Sequence, residues 1–181
     1  MSNITAIKII SSLEKIYDSD KMPQTELKRF SMLKNEKKSF QVALEADSEG
    51  AVDFKINCEL KNVRVYTVEH IRSDFPMWKK GADDYYRFSE SGYYPDLLLP
   101  AADSVRLKKG ITVLWIEIDA VGNEPGEYTL EVTVGGSTAG IEVEIIDAEL
   151  TFDDFVYTCW FHTDCLMSYY KLEAFSDEYW R

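Results

Sequence analysis

Residues 124–145 read EPGEYTLEVTVGGSTAGIEVEI, and their alternation decides the fold class. In Glu127–Val134, Tyr128, Leu130, Val132 and Val134 alternate with Glu127, Thr129, Glu131 and Thr133. In Gly140–Ile145, Ile141, Val143 and Ile145 alternate with Glu142 and Glu144. Successive side chains of a strand point to opposite faces, so each run is a strand with one buried and one wet face. Gly135-Gly136 between the two runs is hairpin chemistry, and Asn123-Glu124-Pro125-Gly126 ahead of them is turn chemistry.

The same period extends outward along the chain. In Ser39–Ala46, Phe40, Val42, Leu44 and Ala46 point one way. Ile4–Ser11, Val52–Cys58, Val63–His70 and Thr112–Ala120 are further strand candidates. In the last, Leu114, Ile116 and Ile118 share a face while Val113 and Trp115 lie opposite, which predicts a strand covered on both sides. Short strands, frequent turns and no convincing helix between them predict a mainly β chain folded as an antiparallel, immunoglobulin-like β-sandwich up to about residue 150.

Composition bounds the function. The chain has 181 residues, one domain or one domain plus part of another, and buries roughly 70% of its unfolded surface. Twenty Lys+Arg against 32 Asp+Glu leave a net charge of -12. Such a surface repels phosphate backbones and anionic lipid, so neither nucleic acid nor membrane is an expected partner. No apolar run approaches the ~18 residues of a membrane span. The N-terminus lacks the basic, apolar and small-residue regions of a secretory leader, so a cytoplasmic protein is expected. Cys58, Cys159 and Cys165 read as reduced thiols, and with only His70 and His162 available no zinc ligand set is expected. No phosphate-binding glycine loop or nucleophile elbow is present, and no cofactor or metal is expected.

Two segments break the alternation. Asp74–Asp103 holds Phe75, Trp78, Tyr85, Tyr86, Phe88, Tyr93 and Tyr94, and reads as a long functional loop folded back over one sheet, ordered by its own aromatics and by Leu97, Leu98 and Leu99. Its acids, Asp74, Asp83, Asp84, Glu90 and Asp96, read as a solvated face. The second segment is the tail, Phe155–Arg181. With nine aromatics there and seven in the loop, these segments carry sixteen of the chain's 24. Phe155–Phe161 is a continuous apolar run of the kind found in strands buried on both faces. Ser176-Asp177-Glu178 reads as a helix start. A strand, a polar exit and the beginning of a helix look like the first unit of a βα fold. This divides the chain into a β-sandwich, 1–150, and a linker with a first βα unit, 151–181.

These segments also carry a resemblance. YTCWFHTDCLMSYYKLEAFSDEYWR, at 157–181, resembles the start of the catalytic barrel in bacterial proteins related to glycoside hydrolase family 123. Tyr93–Pro100 (YYPDLLLP), Val63–Ile71 (VRVYTVEHI), Ser39–Leu44 (SFQVAL) and Glu124–Val134 (EPGEYTLEVTV) resemble that family's N-terminal sandwich. The resemblance spans nearly the whole chain. It implies an ancillary β-sandwich followed by the truncated beginning of a (β/α)8 barrel. It implies hydrolysis of amino-sugar glycosides by an Asp-Glu pair further along such a barrel, assisted by the substrate's acetamido group. This chain would then hold no catalytic residue, its partner would be the barrel of a longer parent protein, and that parent would be β-N-acetylhexosaminidase-like.

On that reading Trp160, His162 and Asp164 alternate along the first barrel strand and its exit, where barrels place binding groups. An aromatic platform beside His and Asp suits a sugar; the alternative is that Trp160 is core and the other two satisfy buried backbone. Trp78, Tyr85, Tyr86, Tyr93 and Tyr94 would form the surface on which the sandwich docks against the barrel. Other readings are a freestanding carbohydrate-binding module, its loop aromatics stacking on a sugar, and a ligand-free interaction sandwich. An unpaired Phe155–Phe161 strand also predicts self-association as a homodimer with exchanged tails.

Overall fold

A computed structural model describes residues 4–74, 90–151 and 163–180. The chain divides into two compact units, Met1–Leu150 and Thr151–Arg181. The first contains ten strands: β1 (Ile4–Ser11), β2 (Arg29–Leu33), β3 (Lys37–Ala46), β4 (Gly50–Asn57), β5 (Val63–Ser73), β6 (Gly92–Pro100), β7 (Ser104–Leu107), β8 (Gly110–Asp119), β9 (Gly126–Val134) and β10 (Ser137–Ile146).

The strands form two five-stranded sheets, ordered β1-β3-β8-β5-β6 and β2-β10-β9-β4-β7. Alternation dictates the core between them. Phe40, Val42 and Leu44 of β3, Leu114, Ile116 and Ile118 of β8, Leu130, Val132 and Val134 of β9, and Ile141, Val143 and Ile145 of β10 are all buried in one cluster. The β9–β10 hairpin closes through Gly135 and Gly136 at φ 53° and 91°, with Val134 opposite Ser137. Positive φ at both central residues matches the right-handed twist of the flanking strands and suits glycine.

The sheets are not wholly antiparallel, because β2 pairs parallel to β10. Neither β2 nor β7 was expected from the sequence. Both are short edge strands, and the parallel partner of β2 lies more than 100 residues away, beyond the reach of hairpin signals.

The two-sided covering expected for β8 is present. Residues 12–28 form a strap without regular structure beside the first sheet, where Ile16 is buried with Ile10, Ala43 and Val113. Side chains from the strands hold it. Gln41 Nε2 donates to the Ser11 and Glu14 carbonyls at 2.8 and 2.6 Å, and Lys8 Nζ donates to the Pro23 carbonyl at 2.6 Å. His70 Nε2 lies 3.1 Å from the Ile16 carbonyl oxygen, while its buried Nδ1 has no hydrogen-bond partner. His70 therefore acts structurally in this face.

The long-loop reading of Asp74–Asp103 needs correction over its second half, because Gly92–Pro100 is the edge strand β6. The prolines concealed it, yet both fit. Ala101 N–H donates to the Val65 carbonyl at 2.9 Å. By alternation the nitrogen of Pro100 faces away from β5, where no ladder donor is needed. Pro95 sits beside a bulge: Glu69 pairs with Leu97 and His70 with Pro95, leaving Asp96 as the extra residue.

In the second unit, α1 (Thr163–Tyr170) begins thirteen residues before the helix start expected at Ser176. Thr and Asp at its first two positions suit a helix N-terminus. It ends with Lys171 at φ 54° and the Leu172 N–H donating back to the Met167 carbonyl at 3.2 Å, a Schellman closure. Ser176 starts only a turn, in which the Tyr179 N–H donates to the Ser176 carbonyl and hydroxyl at 3.1 and 3.3 Å.

Candidate functional site

Of the residues expected to contact sugar, Trp160 and His162 lie outside the described residues. Asp164 is the second residue of α1, which corrects its placement on a strand face: the backbone is helical from Thr163, so alternation does not carry through to it. Cys165 lies exposed on the same helix.

Of the expected docking residues, Trp78, Tyr85 and Tyr86 also lie outside the described residues. Tyr93 and Tyr94 sit on β6 rather than in a loop. The Tyr94 ring meets Tyr17 of the strap edge to face, with centroids 6.2 Å apart, and its hydroxyl donates to the Glu90 carbonyl. Tyr93 is 57% exposed. Beside it Arg72 Nε lies 2.6 Å from Asp74 Oδ1. The Asp74 carboxylate, followed by Tyr93, raises the Arg72 pKa.

Among the described residues, several exposed apolar side chains lie on β5 and β6. Ile71, Leu97, Leu98 and Leu99 are 43%, 42%, 37% and 44% exposed. The leucines were expected to be buried as the segment folded back. Among the described residues β6 is the last strand of its sheet, with no neighbouring strand on one flank. A groove of about 550 Å³ opens near the end of this edge, lined by Phe54 and Ile56 of β4, Val63 and Val65 of β5, and Pro100 and Asp103. The run of leucines was visible in the sequence, but its strand character and edge position were not.

The second sheet presents a polar face. Arg29 on β2 reaches Glu127, Glu142 and Glu144 at 3.0, 3.9 and 3.2 Å. The hydroxyl of Ser31 donates to Glu144 at 2.8 Å. Ser31 first, and Arg29 second, hold the Glu144 carboxyl below its usual range. A carboxyl shifted that way stays ionised and is unsuited to donating a proton near neutral pH. At the end of β4, partial burial pushes the Cys58 thiol up, and the thiol donates to the Leu60 carbonyl at 3.7 Å. A protonated thiol is a poor nucleophile. Among the described residues no helix is long and apolar enough to cross a membrane.

No family model matches the sequence, and no curated protein matches it. Among solved structures, the chain is similar to a family 123 glycoside hydrolase from Clostridium perfringens whose structure concerns hydrolysis of glycolipid glycans. The TM-score is 0.61 at 15% identity, over 97% of this chain and 34% of that one. This likeness is one of fold, and this chain spans about a third of the glycosidase's length. The N-terminal domain of PorA and a β-glucosidase from Listeria innocua align at TM-scores of only 0.34 and 0.33, with 11% and 15% identity. They cover 77% and 80% of this chain, and 97% and 16% of their own.

Proposed function

We propose that this chain is a non-catalytic sandwich domain of a glycoside hydrolase-like protein, whose partner is a carbohydrate-active barrel. The supporting observation is the extent of the structural likeness: nearly all of this chain aligns with a glycosidase, but with only 34% of it. The exposed apolar side chains on β6 support a docking role, since exposed apolar surface marks interaction sites. In this reading Tyr93 and Tyr94 belong to that surface, and Trp160, His162 and Asp164 contribute to one wall of a sugar site in the parent. The ancillary sandwich is 1–150, and 151–181 leads into the barrel.

The experiment is to read the coding sequence past Arg181 in the source genome. Continuation into alternating strand and helix segments, with an Asp-Glu pair among them, is the expected result. A stop codon directly after Arg181, with no barrel encoded beside it, contradicts the proposal. Glycan-array binding by the chain alone favours the freestanding-module reading instead.

A further inference from the structure

We propose that Asn35 is a clamp on the last residues of the first unit, its side-chain amide standing in for a pairing strand and fixing the chain up to Leu150. The inference does not depend on the proposed function. The backbone ladder between β2 and β10 ends at Leu33 opposite Ile146. Residues 146–150 are all exposed, so burial does not hold this stretch, and exposed backbone past the last ladder pair ordinarily frays. Polar contacts from the turn between β2 and β3 hold it instead. Asn35 Nδ2 donates to the Leu150 carbonyl and the Leu150 N–H donates to Asn35 Oδ1, both at 2.9 Å. A side-chain amide carries the same donor and acceptor as a peptide group, so this exchange reproduces one hydrogen-bonded pair of an antiparallel ladder. Beside it the Lys34 N–H donates to the Ala148 carbonyl at 3.1 Å. Lys34 Nζ lies 3.2 and 3.5 Å from the carboxylates of Asp147 and Glu149.

The clamp is firm because the turn that carries it is. The Glu36 N–H donates to the Leu33 carbonyl at 3.0 Å, and the Glu36 carboxylate accepts the Leu33 N–H at 2.9 Å. Residues 33–36 are thereby closed as a β-turn from both ends. The Glu36 carbonyl in turn accepts the N–H of the fully buried Ala120 at 3.0 Å, which ties the turn to the core. The same exchange recurs at Asn123, whose Oδ1 accepts the Lys61 N–H at 2.7 Å and whose Nδ2 donates to the Lys61 carbonyl at 3.4 Å. Exposed ion pairs contribute little, so the amide pair is the main hold on Leu150. The consequence is geometric. Unclamped, residues 147–150 form a tether of up to about 13 Å. Clamped, they give whatever follows Leu150 a fixed starting point on the sandwich.

The test is amide hydrogen exchange of the full chain, read at Leu150. Slow exchange is expected there in the wild type, and it should persist in about 1 M sodium chloride, which screens the Lys34 ion pairs but not the amide pair. Asn35→Ala is expected to speed it about tenfold or more, while the amides of β9 and β10 keep their wild-type rates. Lys34→Met, which removes only the ion pairs, is expected to change it by less than about threefold. A protease that cleaves after glutamate gives a second reading at the bond between Glu149 and Leu150. Cutting there should be slow in the wild type and faster in Asn35→Ala by a similar factor. A wild-type Leu150 that exchanges like an unstructured amide, or loses its protection in salt, overturns the proposal. So does an Asn35→Ala chain in which Leu150 is unchanged, or a Lys34→Met chain in which it is as fast as in Asn35→Ala.

Discussion

Gln41 is 4% exposed, and its amide donates to two strap carbonyls, those of Ser11 and Glu14. Removing the amide takes the Gln41 donor from the Glu14 carbonyl and leaves the Ser11 carbonyl with its bond from the Glu14 N–H, so Gln41→Ala is expected to lower unfolding stability by about 1–2 kcal/mol. Urea melts that coincide with wild type contradict this. Gly136 carries φ 91°, a region in which a side chain's Cβ crowds the backbone. Gly136→Ala is expected to cost about 1–2 kcal/mol, read as a fall in melting temperature, although open space surrounds the site. An unchanged melting temperature contradicts it. Ser31 gives a pH-dependent prediction. The folded pKa of Glu144 is depressed below the ordinary 4.5. Its contribution is therefore present above about pH 4.5 and lost as pH falls through the folded value. Ser31→Ala should lower stability near neutral pH, and the two proteins should converge in acid. Parallel stability curves from pH 7 to pH 3 contradict that account.

At the scale of elements, most strands were legible, β8 with its two covered faces among them, and β2, β6 and β7 were not. β3, β8, β9 and β10 could be read because their partners bury alternate side chains, and that pattern depends on nothing outside the strand. β6 was obscured by Pro95 and Pro100, which break the usual strand grammar but sit where the ladder needs no donor or beside a bulge. α1 was read as a strand exit because His162-Thr163-Asp164-Cys165 follows an apolar run. Thr and Asp serve equally at a polar exit and at a helix start, and the local sequence does not distinguish them. For the same reason the candidate sugar-contact set was legible only as an alternation, which Asp164 does not follow. The closure of α1 supplies another prediction. Lys171 occupies a left-handed conformation at φ 54°, which glycine adopts without a Cβ penalty. Lys171→Gly is expected to stabilise the helix end by about 1 kcal/mol, slowing amide exchange at Leu172 by about fivefold. Equal or faster exchange at Leu172 shows that the closure does not depend on that conformation.

At the scale of the molecule, two sheets share one core, a strap covers part of the first sheet's other face, and the apolar residues around β6 stand open to solvent. The proposed docking role rests on that exposed edge. Carboxyl chemistry fits the same account. Sugar hydrolysis needs one carboxyl that keeps its proton near neutral pH and a second one across the bond, roughly 5–9.5 Å away. Glu144, in the densest carboxylate group described above, is shifted the opposite way. The central proposal is that this chain supports glycoside chemistry without performing it. Its most direct test is incubation of the purified 181-residue chain with a panel of aryl N-acetylhexosaminides, following release of the aryl alcohol. The account predicts release no faster than in buffer. Turnover that a single substitution in this chain abolishes would contradict it.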